Sequence, residues 1–185
     1  MRYSKRERGF TLVEIIIGIV VISLSFSIIS TLVLPATEQS ADQVQQIKAA
    51  ELGQSLLTEI LGKAYDEQPG VSGGIYRCND NGQPNCSLTL GPEAGESRNN
   101  YNDVDDYDEI TQLAGENIQN ALGENLGDYY LGFVVDVSVV YDGDFNGVDD
   151  YLESGSSNQL AKLVTVEITT PSNQVISFSG YRTNY

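Results

Sequence analysis

The chain has 185 residues, of which 26 are acidic, 10 are basic and none is histidine, so its formal net charge is -16. This length suits one globular domain with a core of its own. The acidic balance repels nucleic acid, and we therefore expect no nucleic-acid partner. The absence of histidine excludes Ser-His and Cys-His catalysis and most catalytic zinc sites. We expect no enzymatic activity, although composition alone leaves open a membrane-anchored glycosidase with paired carboxylates.

The N-terminal segment combines a basic leader with a long apolar run. The leader, residues 1–9, contains the basic residues Arg2, Lys5, Arg6 and Arg8. Residues 10–35 are apolar apart from Glu14, and a helix over 15–34 is long enough to cross a bilayer core of roughly 30 Å. The leader's charge places the N-terminal end in the cytoplasm. An ordinary secretory signal carries its small cleavage residue after the apolar run, whereas Gly9 precedes it here.

Glu14 is a carboxylate inside this apolar segment, where an ionisable side chain is costly and marks a functional position with a partner. Cleavage between Gly9 and Phe10 would create an α-amino group close to Glu14 in sequence. The amine of one subunit would then pair with Glu14 of its neighbour, and this neutralisation would favour packing at one stagger. The alternative is a plain membrane anchor whose glutamate lies near the interface.

The run RGFTLVEIIIG, residues 8–18, resembles the class III signal of type IV prepilins and type II secretion pseudopilins. The shared features are the basic leader, the glycine, the phenylalanine and a glutamate at the fifth mature position. The resemblance implies that the prepilin peptidase, a membrane aspartyl protease, cleaves after Gly9 and methylates Phe10. It also implies two partners, namely other pilin subunits packed through the N-terminal helix and an inner-membrane assembly platform. The precursor would lie in the inner membrane with a periplasmic C-terminal domain, and the mature chain would lie in a cell-surface pilus.

The segment after the membrane span is predicted to continue the helix. Pro35 predicts a kink, since proline removes a backbone hydrogen bond. Residues 36–65 are amphipathic, with Gln, Glu and Lys at many other positions and apolar side chains at helical spacing at Ala41, Val44, Ile47, Leu52, Leu56, Leu57, Ile60 and Leu61. One face of this helix is therefore expected to pack on a sheet.

The C-terminal part, residues 131–185, is predicted to form that sheet. Alternating apolar residues over 135–141 and 164–168 predict two strands, and a turn at 171–173 leads into a last strand around Phe178. Residues 66–130 are predicted to be loop-rich, with a short helix around 110–122. The fold class is therefore α+β and pilin-like, with a long N-terminal helix, transmembrane and then amphipathic, packed on an antiparallel β-sheet.

Cys78 and Cys86 are the only cysteines, and they flank seven residues that contain Asn81-Gly82 and Pro84. Such a turn would bring the sulfurs together, and an extracytoplasmic location favours a disulfide. A zinc or redox site is disfavoured, because histidine is absent and the spacing is not that of a known zinc finger. We expect a structural disulfide that contributes roughly 2–3 kcal/mol.

Residues 142–153, DGDFNGVDDYLE, fit the calcium-loop pattern at every fixed position. Calcium would bind side-chain oxygens of three residues, a backbone carbonyl, a water held by a fifth residue and both oxygens of a glutamate. In that order the ligands are Asp142, Asp144, Asn146, Val148, Asp150 and Glu153. Gly147 allows the sharp turn. Two features depart from paired calcium hands: the loop follows a strand, and Asp149 stands where an aliphatic residue is usual. The alternative is a solvated acidic turn.

A second acidic stretch, NDVDDYDE at 102–109, agrees with NGVDDYLE at 146–153 in six of eight positions. It lacks the full loop pattern, because Arg98 stands where the first aspartate would be. It would share an ion with the first loop, hold an ion of its own, or form part of the surface. The surface interpretation is favoured from the sequence.

Further segments resemble the D-component minor pilins of the mannose-sensitive haemagglutinin (MSHA) pilus. They include residues 48–68, the cysteine pair, residues 90–98, both acidic stretches and the terminal FSGYRTNY. This resemblance implies a minor subunit at the tip or in the initiating complex of a surface-attachment pilus. Two alternatives remain, a type II secretion pseudopilin and a membrane-anchored calcium-dependent adhesin.

Overall fold

The computed structural model describes residues 9–67, 77–120 and 122–184, and over 32–40 it describes the backbone alone. The predicted leader therefore lies outside the described residues, except for Gly9. By its internal contacts the chain divides into two units between Gln43 and Val44. The elements in chain order are helix α1 (Leu12–Leu61), strand β1 (Leu113–Ala114), strand β2 (Val134–Tyr141), helix α2 (Asp150–Ser154), strand β3 (Ala161–Thr169) and strand β4 (Val175–Thr183).

Helix α1 is a single element of 50 residues that continues through Pro35 without a break in its assignment. It ends at Leu61, four residues before the predicted limit. The N–H of Gly62 donates to the carbonyl oxygens of Thr58 and Glu59, and Ala64 already forms a bridge with Asp103. The chain therefore leaves the helix to pair with the acidic segment. The predicted kink at Pro35 stays a prediction.

The sheet has four strands in the order β1-β2-β3-β4, and each neighbouring pair is antiparallel. The predicted strands and their hairpin are confirmed, although β3 begins earlier, at Ala161, and β4 extends to Thr183. The turn between them is closed by the N–H of Asn173, which donates to the carbonyl of Thr170 over 2.9 Å. Asn173 has a φ of 59°, a left-handed conformation that asparagine tolerates better than most residues.

One face of α1 packs on the sheet within the second unit, and this confirms the α+β class. The buried side chains of the helix share one face, at Ala49, Leu52, Leu56, Leu57 and Ile60. They meet the inward-facing row of the strands, which is Val135, Val137, Val139, Val164, Val166 and Ile168. Complete burial of one such aliphatic side chain contributes roughly 1.5–3 kcal/mol. Val44 and Ile47 belong to the same predicted stripe but are 55% and 67% exposed, so among the described side chains of α1 burial begins at Ala49.

Gly53 sets how closely α1 approaches β4. A Cβ atom at this position would lie 2.4 Å from a ring carbon of Phe178 and 3.3 Å from a side-chain carbon of Ile168. Glycine in a helix interior is disfavoured by about 1 kcal/mol relative to alanine. The close packing of the Phe178 ring gives this glycine its physical reason.

The short helix predicted around 110–122 is wrong. The segment instead forms β1 and a 3-10 turn at Gly115–Asn117. The N–H of Gly115 donates to the carbonyl of Phe133 over 2.8 Å, and a Cβ at Gly115 would collide with the carbonyl oxygen of Tyr130. Ile110 and Ile118, near the two ends of this segment, both lie in the core.

Candidate functional site

The N-terminal helix begins with a capped turn. The hydroxyl oxygen of Thr11 accepts a hydrogen bond from the N–H of Glu14 over 3.2 Å, one residue before α1 starts at Leu12. This is the side-chain-to-backbone half of a capping box, in which a threonine is followed three residues later by a glutamate. Glu14 therefore also has a local role in the first helical turn, where a negative charge complements the helix dipole. The three-residue spacing of Thr11 and Glu14 is the sequence signal for this role.

Gly9 and Phe10 lie open at the start of the described chain. Phe10 is 79% exposed, and a Cβ at Gly9 would meet no described atom within 4 Å. The fold of the described residues does not require glycine at this position. A requirement for Gly9 would therefore come from an enzyme that reads the segment.

The first part of α1 presents apolar side chains all round. Within the described residues, one helical segment, Leu12–Thr31, is long and apolar enough to cross a membrane. Its large hydrophobic side chains are all more than half exposed in the single chain. The hydroxyls of Ser23, Ser25, Ser30 and Thr31 donate to backbone carbonyls three or four residues earlier. These polar groups are therefore satisfied inside the helix, as an apolar surrounding requires.

The calcium-type loop connects β2 to α2 and is organised around Asp142. This side chain is buried and accepts hydrogen bonds from the N–H groups of Asn146 and Gly147 at 3.0 and 2.8 Å. It also accepts one from the hydroxyl of Tyr181 at 2.5 Å. Burial alone would raise the pKa of Asp142, but these hydrogen bonds lower it below its ordinary value. Gly147 has a φ of 86°, which provides the sharp turn.

Three of the predicted ligands converge in this loop. Asp144, Asp150 and Glu153 each bring one carboxylate oxygen within 4.8 Å of the others. Asp150 is buried and is held by the N–H of Gly143 at 2.8 Å. Asp142 is not part of this group, because it holds the turn instead.

Asn146 contributes differently from the prediction. Its amide nitrogen donates to Asp144 at 3.1 Å and to Glu153 at 2.7 Å. Its amide oxygen accepts from the N–H of Val148 at 2.8 Å. The oxygen predicted to bind calcium is therefore engaged within the loop. No contact of the Val148 carbonyl tests its predicted role.

Asp149, which departs from the usual calcium-hand pattern, caps α2. Its carboxylate accepts a hydrogen bond from the N–H of Tyr151 at 2.9 Å. An aspartate at a helix N-cap satisfies an otherwise unpaired amide. The acidic residue at this position therefore has a structural reason that is compatible with a loop leading into a helix.

Cys78 and Cys86 form the predicted disulfide, with their Cα atoms 4.8 Å apart. Both are 2% exposed and pack with Tyr65 and Tyr141 in a small second core. The amide nitrogen of Asn184 donates to the carbonyl of Cys78 at 3.1 Å. The disulfide loop is therefore fastened to the C-terminal end of the chain.

The surface interpretation of residues 102–109 is wrong. Asp103, Asp105 and Asp106 are each at most 1% exposed, as are Val104 and Tyr107 between and beside them. The segment forms a bridge with Ala64 and a short 3-10 helix at Asp105–Glu109. The three-residue spacing of Val104 and Tyr107 was the available signal that this segment enters the core.

Lys162 was not singled out from the sequence, yet it is completely buried. Its ammonium group forms ion pairs with Asp105 and, at 3.3 Å, with Asp66. It also donates to the carbonyl of Tyr65 at 2.7 Å. Burial raises the pKa of Asp105, while the nearby ammonium group opposes that rise. Lys162 lies two residues before Val164 in β3 and therefore on the same face of the strand. This alternation was the sequence signal that its side chain points inward.

Comparison with known proteins identifies the N-terminal segment. Residues 4–30 match the family model of the prokaryotic N-terminal methylation motif. No curated protein and no solved structure gives a significant match. The match covers the segment that contains Gly9, Phe10 and Glu14. The chain therefore carries the class III signal of type IV pilin-like proteins, on an α+β fold of pilin-like architecture.

Proposed function

We propose that the chain is a minor pilin of an MSHA-type type IV pilus, located at the tip or in the initiating complex, where it contributes to surface attachment. The observation that carries the pilin-like part is that the methylation motif leads directly into α1. The exposed apolar side chains of Leu12–Thr31 need a covering of lipid or of neighbouring helices. Type IV prepilins occupy these two environments in succession.

Assembly would depend on the processed N-terminus. Cleavage after Gly9 by the prepilin peptidase leaves the amine of Phe10, and methylation keeps its positive charge. This amine would pair with Glu14 of an adjacent subunit while the apolar helices pack together. The assembly platform of the inner membrane would supply the force that lifts the subunit out of the bilayer.

The MSHA assignment rests on sequence blocks along the chain, and two of them are in contact. The block at 48–68 supplies the buried part of α1, and FSGYRTNY supplies the end of β4. A Cβ at Gly180 would lie 2.7 Å from a methyl group of Leu61, so the two blocks pack tightly.

We also propose that the loop 142–153 binds calcium. The convergence of Asp144, Asp150 and Glu153 supports this proposal, since three carboxylates repel one another without a cation. Asp142 would hold the turn, with Asn146 and Val148 supplying further oxygens after a local rearrangement. Isolated extracellular calcium modules have dissociation constants of roughly 10⁻⁴–10⁻³ M, which millimolar external calcium would saturate in part.

Immunogold labelling of purified pili tests the proposed location, with pili from a strain lacking this chain as the control. We expect sparse gold particles at filament ends or bases. Label confined to the cell envelope would favour the membrane-anchored adhesin. Absence from pili, together with a loss of protein secretion on deletion, would favour the pseudopilin.

A further inference from the structure

Five carboxylates from three chain segments meet beside the buried 102–106 segment, and we name them the acidic cluster: Glu67, Glu93, Glu96, Asp103 and Asp106. Glu67, Glu93 and Asp103 each bring one oxygen within 4.8 Å of the others. Glu93, Glu96 and Asp106 form a second group by the same measure, so Glu93 belongs to both. Asp103 and Asp106 are completely buried, and the three glutamates are partly buried.

The two buried aspartates are held in place from one side. One oxygen of Asp103 accepts from the N–H groups of Asp105 and Asp106 at 3.1 and 3.3 Å. One oxygen of Asp106 accepts from the N–H groups of Asn102 and Asp103 at 2.7 and 3.0 Å. The backbone therefore fixes both carboxylates in orientation.

The other oxygen of each aspartate is buried and has no hydrogen-bond partner among the described residues. The same holds for one oxygen each of Glu67, Glu93 and Asn102. Buried carboxylate oxygens without a partner are rare in native proteins, because their desolvation is not compensated. Four such carboxylate oxygens, together with the amide oxygen of Asn102, lie in this region, and they indicate a positively charged ligand.

Two cations of the second unit pair with carboxylates outside the cluster. The ammonium group of Lys162 forms ion pairs with Asp66 and Asp105, and the guanidinium group of Arg98 forms one with Glu59.

We propose that the acidic cluster is a calcium site, formed by residues other than those of the 142–153 loop. Calcium takes six to eight oxygen ligands at 2.3–2.6 Å, so oxygens on opposite sides of the ion lie about 5 Å apart. The separations of up to 4.8 Å within each of the two groups fit this sphere. Magnesium keeps several of its waters, which suits a buried site poorly, and zinc favours nitrogen and sulfur ligands.

The ion would fasten the end of α1 to the loop-rich region. Glu67 follows α1 closely, and the N–H of Val104 donates to the carbonyl of Ala64 at 3.1 Å in the same area. Glu93 and Glu96 come from a separate loop that the ion would join to both. Binding itself does not depend on the proposed pilus function; only the supply of millimolar calcium follows from an extracellular location.

Calcium binding to the full-length chain in detergent micelles tests this proposal. The protein is stripped with a chelator, and calcium chloride is titrated by calorimetry. The background variant is Asp144→Asn with Glu153→Gln, which disables the 142–153 loop. We expect it to retain one calcium ion per chain. Adding Asp103→Asn with Asp106→Asn should abolish this binding, whereas Asp80→Asn with Asp128→Asn, at two exposed positions, should leave it unchanged.

Melting temperatures distinguish a metal site from a purely structural cluster. The variant with Asp103→Asn and Asp106→Asn keeps the oxygens that accept the backbone hydrogen bonds and removes two charges. In chelator we therefore expect it to melt at or above the temperature of the unchanged cluster. In millimolar calcium the unchanged cluster should gain about 2–5 °C, and the variant should gain nothing. Glu93→Gln should also reduce the rise in melting temperature that calcium produces.

Two results would overturn the proposal. The first is calcium binding of equal stoichiometry with and without the cluster substitutions in the loop-disabled background. The second is a cluster variant that loses the same stability in chelator and in calcium, which would make the carboxylates structural alone. Failure of the 142–153 loop to bind calcium would show separately, in the chain that carries only the cluster substitutions.

Discussion

Lys162 provides the counter-charge for two of the buried carboxylates of the second unit. It is completely buried, and its ammonium group pairs with Asp66 and Asp105. It also lies 4.6 Å from the ring centre of Tyr65 and 5.4 Å from that of Tyr141. Removing one partner of a buried ion pair leaves an uncompensated charge, so the loss exceeds the net value of the pair.

We expect Lys162→Met to lower the free energy of unfolding by about 3–5 kcal/mol, because two buried carboxylates lose their counter-charge. Urea denaturation of the full-length chain in micelles measures the change. Lys48→Met is the matched control, since Lys48 only donates to the carbonyl of Tyr129 at an exposed position. The control should change stability by about 0.5 kcal/mol or less. Equal effects of the two substitutions would refute the role of Lys162.

Glu14 combines a local and an intermolecular role that substitution can separate. Its backbone N–H donates to the hydroxyl of Thr11, and glutamine is also favourable at this position of a capping box. Glu14→Gln therefore removes the charge while the first helical turn is kept. We expect normal membrane insertion, since the bilayer disfavours the charge, and defective incorporation into pili.

Quantification of the chain in sheared pili against the membrane fraction measures this effect. Glu51→Gln removes the same charge from an exposed position of α1 and should assemble normally. If Glu14→Gln assembled as well as Glu51→Gln, the charge of Glu14 would have no part in docking.

At the scale of elements, residue periodicity in the sequence correctly predicted the long strands and the buried face of the helix. The alternation of Val135, Val137 and Val139 predicted β2, and the spacing of Leu52, Leu56 and Ile60 predicted the buried face of α1, because both patterns follow from the geometry of a single element. The same pattern could not show where burial begins. Val44 and Ile47 continue the stripe but are exposed in the single chain, since the described sheet does not cover them.

Elements that depend on distant contacts escaped prediction. The segment around Gly115 was predicted to be helical. Instead, the N–H of Gly115 donates to the carbonyl of Phe133, and there is no space for a side chain at Gly115. The acidic stretch at 102–109 was expected on the surface from its composition. Its burial depends on the pairing of Asp103 with Ala64 and of Asp105 with Lys162, and the local spacing of Val104 and Tyr107 does not specify these partners.

The 142–153 loop shows the same division between local and distant determinants. The sequence pattern identified the residues that converge, Asp144, Asp150 and Glu153. It could not show that Tyr181, from β4, would donate to Asp142, or that Asn146 would donate to two carboxylates. The residues that converge could therefore be predicted from the sequence, but the hydrogen bonds of each side chain could not.

Calcium should stabilise this loop independently of the acidic cluster. In a full-length chain that carries Asp103→Asn and Asp106→Asn, we expect millimolar calcium to raise the melting temperature by about 2–5 °C. Glu153→Gln should remove most of this gain, because it takes one carboxylate from the converging group. Glu116→Gln, at an exposed position outside the loop, should retain it. A melting temperature indifferent to calcium would leave the loop as a solvated acidic turn.

At the scale of the whole molecule, the two units meet different demands. The segment Leu12–Thr31 exposes apolar side chains along its length, and its hydroxyls are satisfied within the helix. The second unit buries a continuous core between α1 and the sheet and carries the disulfide, the buried ion pairs and the acidic loops. These features are those of a membrane-anchored, pilin-like protein.

Mass spectrometry of the N-terminus, on chain recovered from purified pili, tests the central claim most directly. We expect a terminal peptide that begins at Phe10 and carries one methyl group on its amine. Gly9→Leu should leave the precursor in the membrane fraction with its leader attached. This failure would not reflect misfolding, because the described residues leave open space around Gly9. Chain in assembled pili that still begins at Met1, or begins at Phe10 without methylation, would contradict the account.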